Sequence, residues 1–326
     1  MDAESNLPAS SHPGTLHFVP PNLSAFEPTR PSPTNDRNSP QHTLLWIGGM
    51  YDTYLSVAYP LTLARSLPPA WSLATTALSS AGHSWGTSSI ARDATEMAKI
   101  ITFFRKLRPQ GKIVIMGHST GCQDCMEYLI GEDSAERPKV DGAILQAPVS
   151  DREAIEGAMP REELEEVNGT AIRMCEEGKE KDPMPSRMVR GMFGRIAITA
   201  GRWVDIASPA PERKGRDDYF SSDLSDERLR VSFGKVPAHS PLLMLYSGSE
   251  ENVPEGVDKE AMVKRWMRFV GEGGGVADEV NGGVVPGATH NLNGNPGNVV
   301  QDLVRRVTAF VDRVETRGFK SEKSTL

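Results

Sequence analysis

Residues 112–129 read KIVIMGHSTGCQDCMEYL and place a serine between glycines, Gly117-His118-Ser119-Thr120-Gly121, in a G-x-S-x-G pattern. An apolar run of strand type precedes it and an apolar stretch of helix type follows. In that context the pentapeptide predicts a sharp strand-to-helix turn with a nucleophile at its tip, where close approach of strand and helix requires glycine on either side. The turn lifts the Ser119 hydroxyl above the strand ends and aims the Thr120 N–H, at a helix N-terminus, toward a developing oxyanion.

A serine hydroxyl is un-ionised at neutral pH, so it needs a general base, and the base needs an orienting acid. In strand–turn–helix sites of this kind the partners follow in the order serine, acid, histidine. Of the seven histidines, at 12, 17, 42, 83, 118, 239 and 290, the first three precede the sheet or sit in a proline-rich arm. His118 is inside the turn, and His239 precedes a strand whose far end should carry the acid. His290, in the loop VVPGATHNLNGNPG before the last helix, is the base that the order selects. The acid belongs to the loop Ser249-Glu250-Glu251-Asn252-Val253-Pro254, with Glu250 and Glu251 as the candidates and Asp258 a remote third. A second oxyanion donor is expected from IGGMYD (47–52), whose glycines let backbone approach substrate; the Met50 N–H is that donor. Gly49, Tyr51 and Asp52 lie in a loop on the same edge and are expected to line the substrate site; His83 and Trp85 lie in another loop on that edge, where lining the site and a structural role fit equally.

These residues need a scaffold that brings several strand ends to one edge. TLLWI (43–47), SLATTAL (72–78), KIVIMG (112–117), VDGAILQAP (140–148) and PLLMLYSG (241–248) read as buried strands, and VVPG (284–287) as a short extended piece. Ser89 caps a helical pattern in which Ile90, Ala94, Met97, Ile100, Ile101 and Phe104 recur at three-to-four spacing. Further helices are predicted at 122–130, around 259–270 and from about 298 to 314. Strands alternating with helices imply a mostly parallel sheet covered on both faces, an α/β class.

The alternation lapses between 150 and 236. Residues 151–182 hold eleven acids and five bases, and 187–216 hold seven bases and two acids. A helical insertion over 151–236 fits, read either as solvated helix faces or as a lid, with Met184, Met188, Met192 and Phe193 forming its core or greasing its inner face. Residues 1–40 carry eight of the 24 prolines and read as an irregular arm with one edge strand at 15–19. The core then comprises 41–150 and 237–326.

Composition narrows the function classes. Among 326 residues, 43 acids and 36 bases give a net charge of −7, which argues against a phosphate-binding surface for nucleic acid. No apolar stretch is long enough to span a membrane, the N-terminus shows no signal-peptide core, and three cysteines do not make a disulfide framework. A soluble, cytoplasmic protein is expected. Cys122 and Cys125 form one C-x-x-C, which cannot complete a four-ligand zinc site, so they are read as buried small residues. No metal or organic cofactor is implied, and no phosphate-binding glycine fingerprint follows any strand. The oligomeric state is not legible.

Together the serine turn, the late histidine and the alternating elements resemble an α/β-hydrolase. The strings WIGGMYD, SSAGHSWGTSSIARDATEM, VIMGHSTGCQDCMEYL, ILQAPVSDREA and YSGSEENVP narrow this to a eukaryotic branch similar to the intracellular fungal esterase that opens fusarinine-type siderophores. The resemblance runs from about residue 16 to 314. It implies that Ser119, Glu250 and His290 take the triad positions, since an acid commonly stands four residues before the proline of a V-P pair. Glu251 is the alternative, and glutamate replaces the commoner aspartate. It further implies hydrolysis of small-molecule esters, ferric siderophores among them. A lipase, carboxylesterase or thioesterase is the alternative enzyme, and a non-catalytic ligand-binding protein on the same fold is the alternative from another class.

Overall fold

The five long apolar runs all become strands of a single sheet in a computed structural model, which describes residues 9–30, 40–316 and 318–319. In chain order the strands are β1 (Gly14–Val19), β2 (Leu23–Pro28), β3 (His42–Ile47), β4 (Trp71–Ala77), β5 (Ile113–His118), β6 (Gly142–Gln146), β7 (Leu242–Ser247) and β8 (Gly283–Val285). Across the sheet they run β1-β2-β4-β3-β5-β6-β7-β8. β1, β2 and β4 pair antiparallel, and every other pairing is parallel. β3 through β7 are buried almost throughout, as expected of strands covered on both faces.

The helices are α1 (Tyr59–Ser66), α2 (Ile90–Leu107), α3 (Thr120–Ile130), α4 (Asp151–Ala158), α5 (Arg161–Glu176), α6 (Ser186–Phe193), α7 (Ala200–Ala207), α8 (Asp226–Val231), α9 (Lys259–Glu272) and α10 (Gly297–Thr316). Ser89 caps α2 by accepting the Arg92 N–H at 3.3 Å, and Asp258 caps α9 by accepting that of Ala261 at 2.9 Å. One sheet face packs Ile101 and Phe104 of α2, Cys122 and Met126 of α3 and Trp266 of α9 into one apolar cluster. The other packs Leu63 of α1 and Leu303, Val307 and Phe310 of α10 into a second. Each large apolar side chain so enclosed contributes roughly 1.5–3 kcal/mol.

The site's location follows from the strand order. From β3 the chain steps outward to β4, then crosses back to β5 on the other side of β3. Loops leaving β3 and β5 therefore diverge over opposite faces and open a crevice at their carboxyl ends, where α/β sheets bind ligands.

One element departs from the sequence reading. The arm supplies two strands: Val19, Leu23 and Ala25 are buried and β2 bonds to β4. Pro20, Pro21 and Pro28 hide this hairpin from a propensity reading, because prolines suggest an irregular chain. The parts of the arm at 1–8 and 31–39 lie outside the described residues. Between β6 and β7 the chain forms α4 to α8, and Met184, Met188, Phe193 and Trp203 are buried in a third apolar cluster with Met192 partly buried against it. Its charged residues divide between solvated faces, such as Glu162, Glu163, Glu165 and Glu166 of α5, and buried ion pairs.

Candidate active site

β5 ends at His118 and α3 begins at Thr120, so Ser119 alone makes the turn, with φ 54° and ψ −127°. An L-residue at positive φ is strained, and the surrounding structure must hold it there. Its N–H donates to the Gln146 carbonyl at the end of β6, 3.2 Å away, and its carbonyl accepts the Cys122 N–H at 2.8 Å. A Cβ on Gly121 would collide with the Ile47 carbonyl of β3. That close crossing of α3 over β3 fixes the serine above the strand ends.

His290 leaves the sheet just after β8, and its Nε2 lies 2.8 Å from Ser119 Oγ. Its Nδ1 lies 2.8 Å from Glu250 Oε2. A carboxylate only accepts, so the shared proton sits on Nδ1, and Nε2 is left to accept the Ser119 hydroxyl proton. Glu250 has no exposed side-chain surface, and its other oxygen accepts the backbone N–H and Nδ2–H of Asn252 at 3.2 and 3.0 Å. Lys259 Nζ donates to the Gly248 and Glu250 carbonyls at 2.9 and 3.2 Å, bracing the acid loop. The alternatives are placed elsewhere: Glu251 Oε2 accepts the backbone N–H of His290 at 3.2 Å, and Asp258 is the cap of α9.

Burial alone would lower the His290 imidazolium, but the hydrogen bond and charge of Glu250, with Glu251 and Asp52, raise it above its usual value. Burial would likewise raise the Glu250 carboxyl, whereas His290 and the two Asn252 donors bring it below its ordinary range. The pair therefore favours the ionised acid beside a histidine ready to take a proton.

Behind His290, the His118 ring lies 5.1 Å away between centroids and stacks on Trp46. It hydrogen-bonds Gln146 Oε1 through Nδ1 at 2.6 Å. Burial, with the nearby His290, pushes His118 down to about 4, so it stays neutral and adds no repelling charge. Gln146 Nε2 donates to the His290 carbonyl at 3.3 Å. Gln146, Asn252 and Lys259 are supporting residues that the sequence reading missed. Only their position beside strand ends would have pointed to them, and amides and lysines are common in loops.

The loop after β3 is pressed against the serine. A Cβ on Gly49 would sit 2.6 Å from Ser119 Cβ and 3.0 Å from the His118 carbonyl, so the backbone leading to the next N–H, that of Met50, runs against the serine. The N–H groups of Met50 and of Thr120, the first residue of α3, make no hydrogen bond among the described residues. Two backbone donors without partners beside a nucleophile are what an oxyanion needs. Asp52 ties this loop together: Oδ2 accepts the Gly49 N–H at 2.8 Å and Oδ1 the Ser56 hydroxyl at 2.8 Å, which folds the loop on itself.

Tyr51 is at φ 68°, with its ring 6.2 Å from exposed His83 and 5.6 Å from Trp85. Trp85 is enclosed, as the structural alternative has it. It is 3% exposed and packs on Phe193 of α6 at 5.1 Å, because the helical segment covers it. Cys122 and Cys125 are buried, and burial pushes both thiols up. No cluster of metal ligands occurs among the described residues, nor any helix long and apolar enough to cross a membrane.

A family model described as "Protein of unknown function (DUF1749)" matches residues 7–312. Esterase AN6793 of Emericella nidulans is 36% identical, covering 97% of this chain and 96% of that protein. Fusarinine C esterase sidJ of Aspergillus fumigatus is 33% identical over 93% of this chain and 97% of its own. Among solved structures, siderophore hydrolase EstB from Aspergillus fumigatus superimposes with a TM-score of 0.80 at 31% identity, covering 94% of this chain and 99% of that one. The fold is that of the α/β-hydrolases.

Proposed function

This chain belongs to the DUF1749 family, and from that membership and the site we propose a serine esterase that opens ester-linked hydroxamate siderophores of the fusarinine type, releasing iron within the cytoplasm. It is a carboxylic ester hydrolase by kinship with the esterases it resembles over nearly its whole length. The observation that carries the catalytic assignment is the unbroken chain from Ser119 Oγ through His290 to Glu250, 2.8 Å at each link.

In the proposed reaction His290 Nε2 takes the Ser119 proton as Oγ attacks the ester carbonyl. The carbonyl oxygen becomes an oxyanion facing the N–H groups of Met50 and Thr120. Collapse expels the alcohol, which receives the proton from His290 and leaves an acyl-serine. Water then gives a proton to His290, attacks the acyl carbon, and the returning proton frees Ser119 and the acid. Glu250 keeps the imidazole in the required tautomer and stabilises the imidazolium. Residues 151–236 act in this reading as a lid, supported by their burial of Trp85 and their packing against Met50 and Tyr51.

The substrate assignment is tested by comparing kcat/KM on cyclic and linear fusarinine-type esters, with and without ferric iron, against simple aryl esters. The siderophore esters should be preferred. Hydrolysis of aryl esters with none of the siderophore esters would overturn the assignment while leaving the esterase intact.

Gly49→Ala tests the oxyanion loop. The added methyl must displace either Ser119 or the loop carrying Met50, given its 2.6 Å approach to Ser119 Cβ. A drop in kcat of about 10²–10³, the typical cost of one oxyanion donor, is expected with little change in KM. Wild-type kcat in a folded Gly49→Ala protein contradicts this role for the loop.

A further inference from the structure

Val114 and Met116 of β5 and Ile144 of β6 pack into the apolar cluster shared with α1 and α10. Two residues further along each strand, on the same face by the period-two alternation, the apolar pattern stops at His118 and Gln146. The register pairs these two directly across β5 and β6, and they are 2% and 1% exposed. Burying polar side chains is unfavourable unless each donor meets an acceptor, so their hydrogen bonds must be traced.

Only one arrangement of hydrogens satisfies them. The His290 carbonyl can only accept, and Gln146 Nε2 donates to it at 3.3 Å. Gln146 Oε1 is thereby turned to His118 Nδ1, 2.6 Å away. An amide oxygen also only accepts, so Nδ1 carries the His118 proton. His118 Nε2 keeps the lone pair and lies 3.8 Å from Asp52 Oδ2. Exchanging the oxygen and nitrogen of the Gln146 amide would set two carbonyl oxygens against each other at His290. The chain therefore runs from His118 through Gln146 to His290.

Its starting point is rigid. The His118 ring stacks on Trp46 at 6.1 Å with an interplanar angle of 14° and meets the edge of Tyr59 at 6.1 Å. Trp46 Nε1 in turn donates to the Tyr59 hydroxyl at 2.8 Å. At the other end, the Gln146 amide makes the only hydrogen bond to the His290 carbonyl among the described residues. The imidazole of His290 must meet Ser119 Oγ and Glu250 Oε2 at once, so a shift of its main chain disturbs both contacts.

We propose that His118 is a positioning residue of the esterase site: through the Gln146 amide it holds the main chain of His290, and with it the placement of the imidazole between Glu250 and Ser119. The inference rests on the esterase reading given above. His118 touches no reacting atom in this role, so its loss misplaces the base and leaves the serine present. A misplacement of about 1 Å lowers rates by about 10²-fold. The loop is also held by Ser247 and Asn295, whose side chains bond Thr289, so the smaller shift expected here corresponds to about tenfold.

The test is a double-mutant cycle of His118→Leu and Gln146→Met, joined by His118→Asn, whose amide nitrogen takes the place of Nδ1 and keeps the donor. Reactive serines are counted by titration with a fluorophosphonate probe, and kcat and KM for an aryl ester are expressed per titrated serine. Each single variant of the cycle should lose about tenfold in kcat with KM within about twofold. The double variant should also lose about tenfold, because both changes break one chain. His118→Asn should recover to within about threefold of wild type. A merely structural role would reduce the number of titratable serines and leave kcat per serine unchanged, and that result in a folded His118→Leu protein overturns the proposal. Losses that multiply to about a hundredfold in the double variant overturn it as well, as does a fall in His118→Asn equal to that in His118→Leu. Should His118→Leu not fold, wild-type kcat per serine in Gln146→Met overturns it. A wild-type protein that labels with the probe but hydrolyses no ester would instead sink the esterase reading.

Discussion

Replacing Ser119 with alanine is expected to reduce kcat for ester hydrolysis by about 10⁶-fold, the scale seen when a triad nucleophile is removed. The Ser119 side chain makes one described hydrogen bond, to His290 Nε2, and alanine at φ 54° is strained no more than serine. The fold should therefore survive with stability close to that of the wild type, since the strained turn is common to both. Fluorophosphonate labelling should disappear along with turnover. The measurement is steady-state hydrolysis of a fusarinine-type ester and of an aryl ester by the same preparation, with circular dichroism establishing the fold. Residual activity within tenfold of wild type on either substrate would remove Ser119 from the nucleophile's position. Because the oxyanion donors stay in place, a small rate above background is compatible with the assignment.

Much of this site was legible because its requirements are local in sequence. A nucleophile turn needs glycine, a strand before it and a helix after it, and all three are written within residues 112–129. His290 was selected by chain order combined with its place after a late strand, and the structure sets it beside Ser119. Glu250 and Glu251 could not be separated from residue types alone. Two adjacent loop carboxylates point in different directions, and only the fold determines that one meets the imidazole ring and the other the backbone N–H of the same residue.

The β1–β2 hairpin was partly hidden because its stability comes from pairing with β4, a contact distant in sequence, and not from its own proline-flanked residues. The burial of Trp85 is hidden from the sequence for the same kind of reason. Its loop sits on the catalytic edge, but burial is imposed by Phe193, more than a hundred residues later. The buried Arg202–Asp217 ion pair was invisible as a pair, since it joins α7 to a loop 15 residues later. The sequence offered only charge runs, and helical faces in solvent explain such runs equally well.

Glu250→Gln is expected to lower kcat by about 10⁴-fold, and the surrounding donors say why. Glu250 Oε1 already accepts two hydrogens from Asn252, so a glutamine here must place its carbonyl oxygen there. Its NH₂ group then faces His290 Nδ1 and donates to it. Nδ1 must accept, the proton moves to Nε2, and the imidazole loses the lone pair that would take the Ser119 proton. Raising the pH does not repair a wrong tautomer, so the loss should persist on the plateau of the pH–rate profile.

The profile itself should also move. His290 works as a base only when neutral, and in the wild type its raised pKa places the acid limb of kcat/KM above the ordinary histidine value of 6.5. Removing the Glu250 charge leaves burial opposed only by the more distant Glu251 and Asp52, so the limb shifts to lower pH while the plateau falls. Glu251→Gln, whose acid touches only the backbone of His290, should change the plateau by less than about tenfold. Steady-state kcat/KM measured across the acid limb for both variants decides between them. A Glu250→Gln plateau near wild type beside a collapsed Glu251→Gln plateau would transfer the orienting role to Glu251. If both plateaus stay near wild type, His290 is held by something other than a carboxylate.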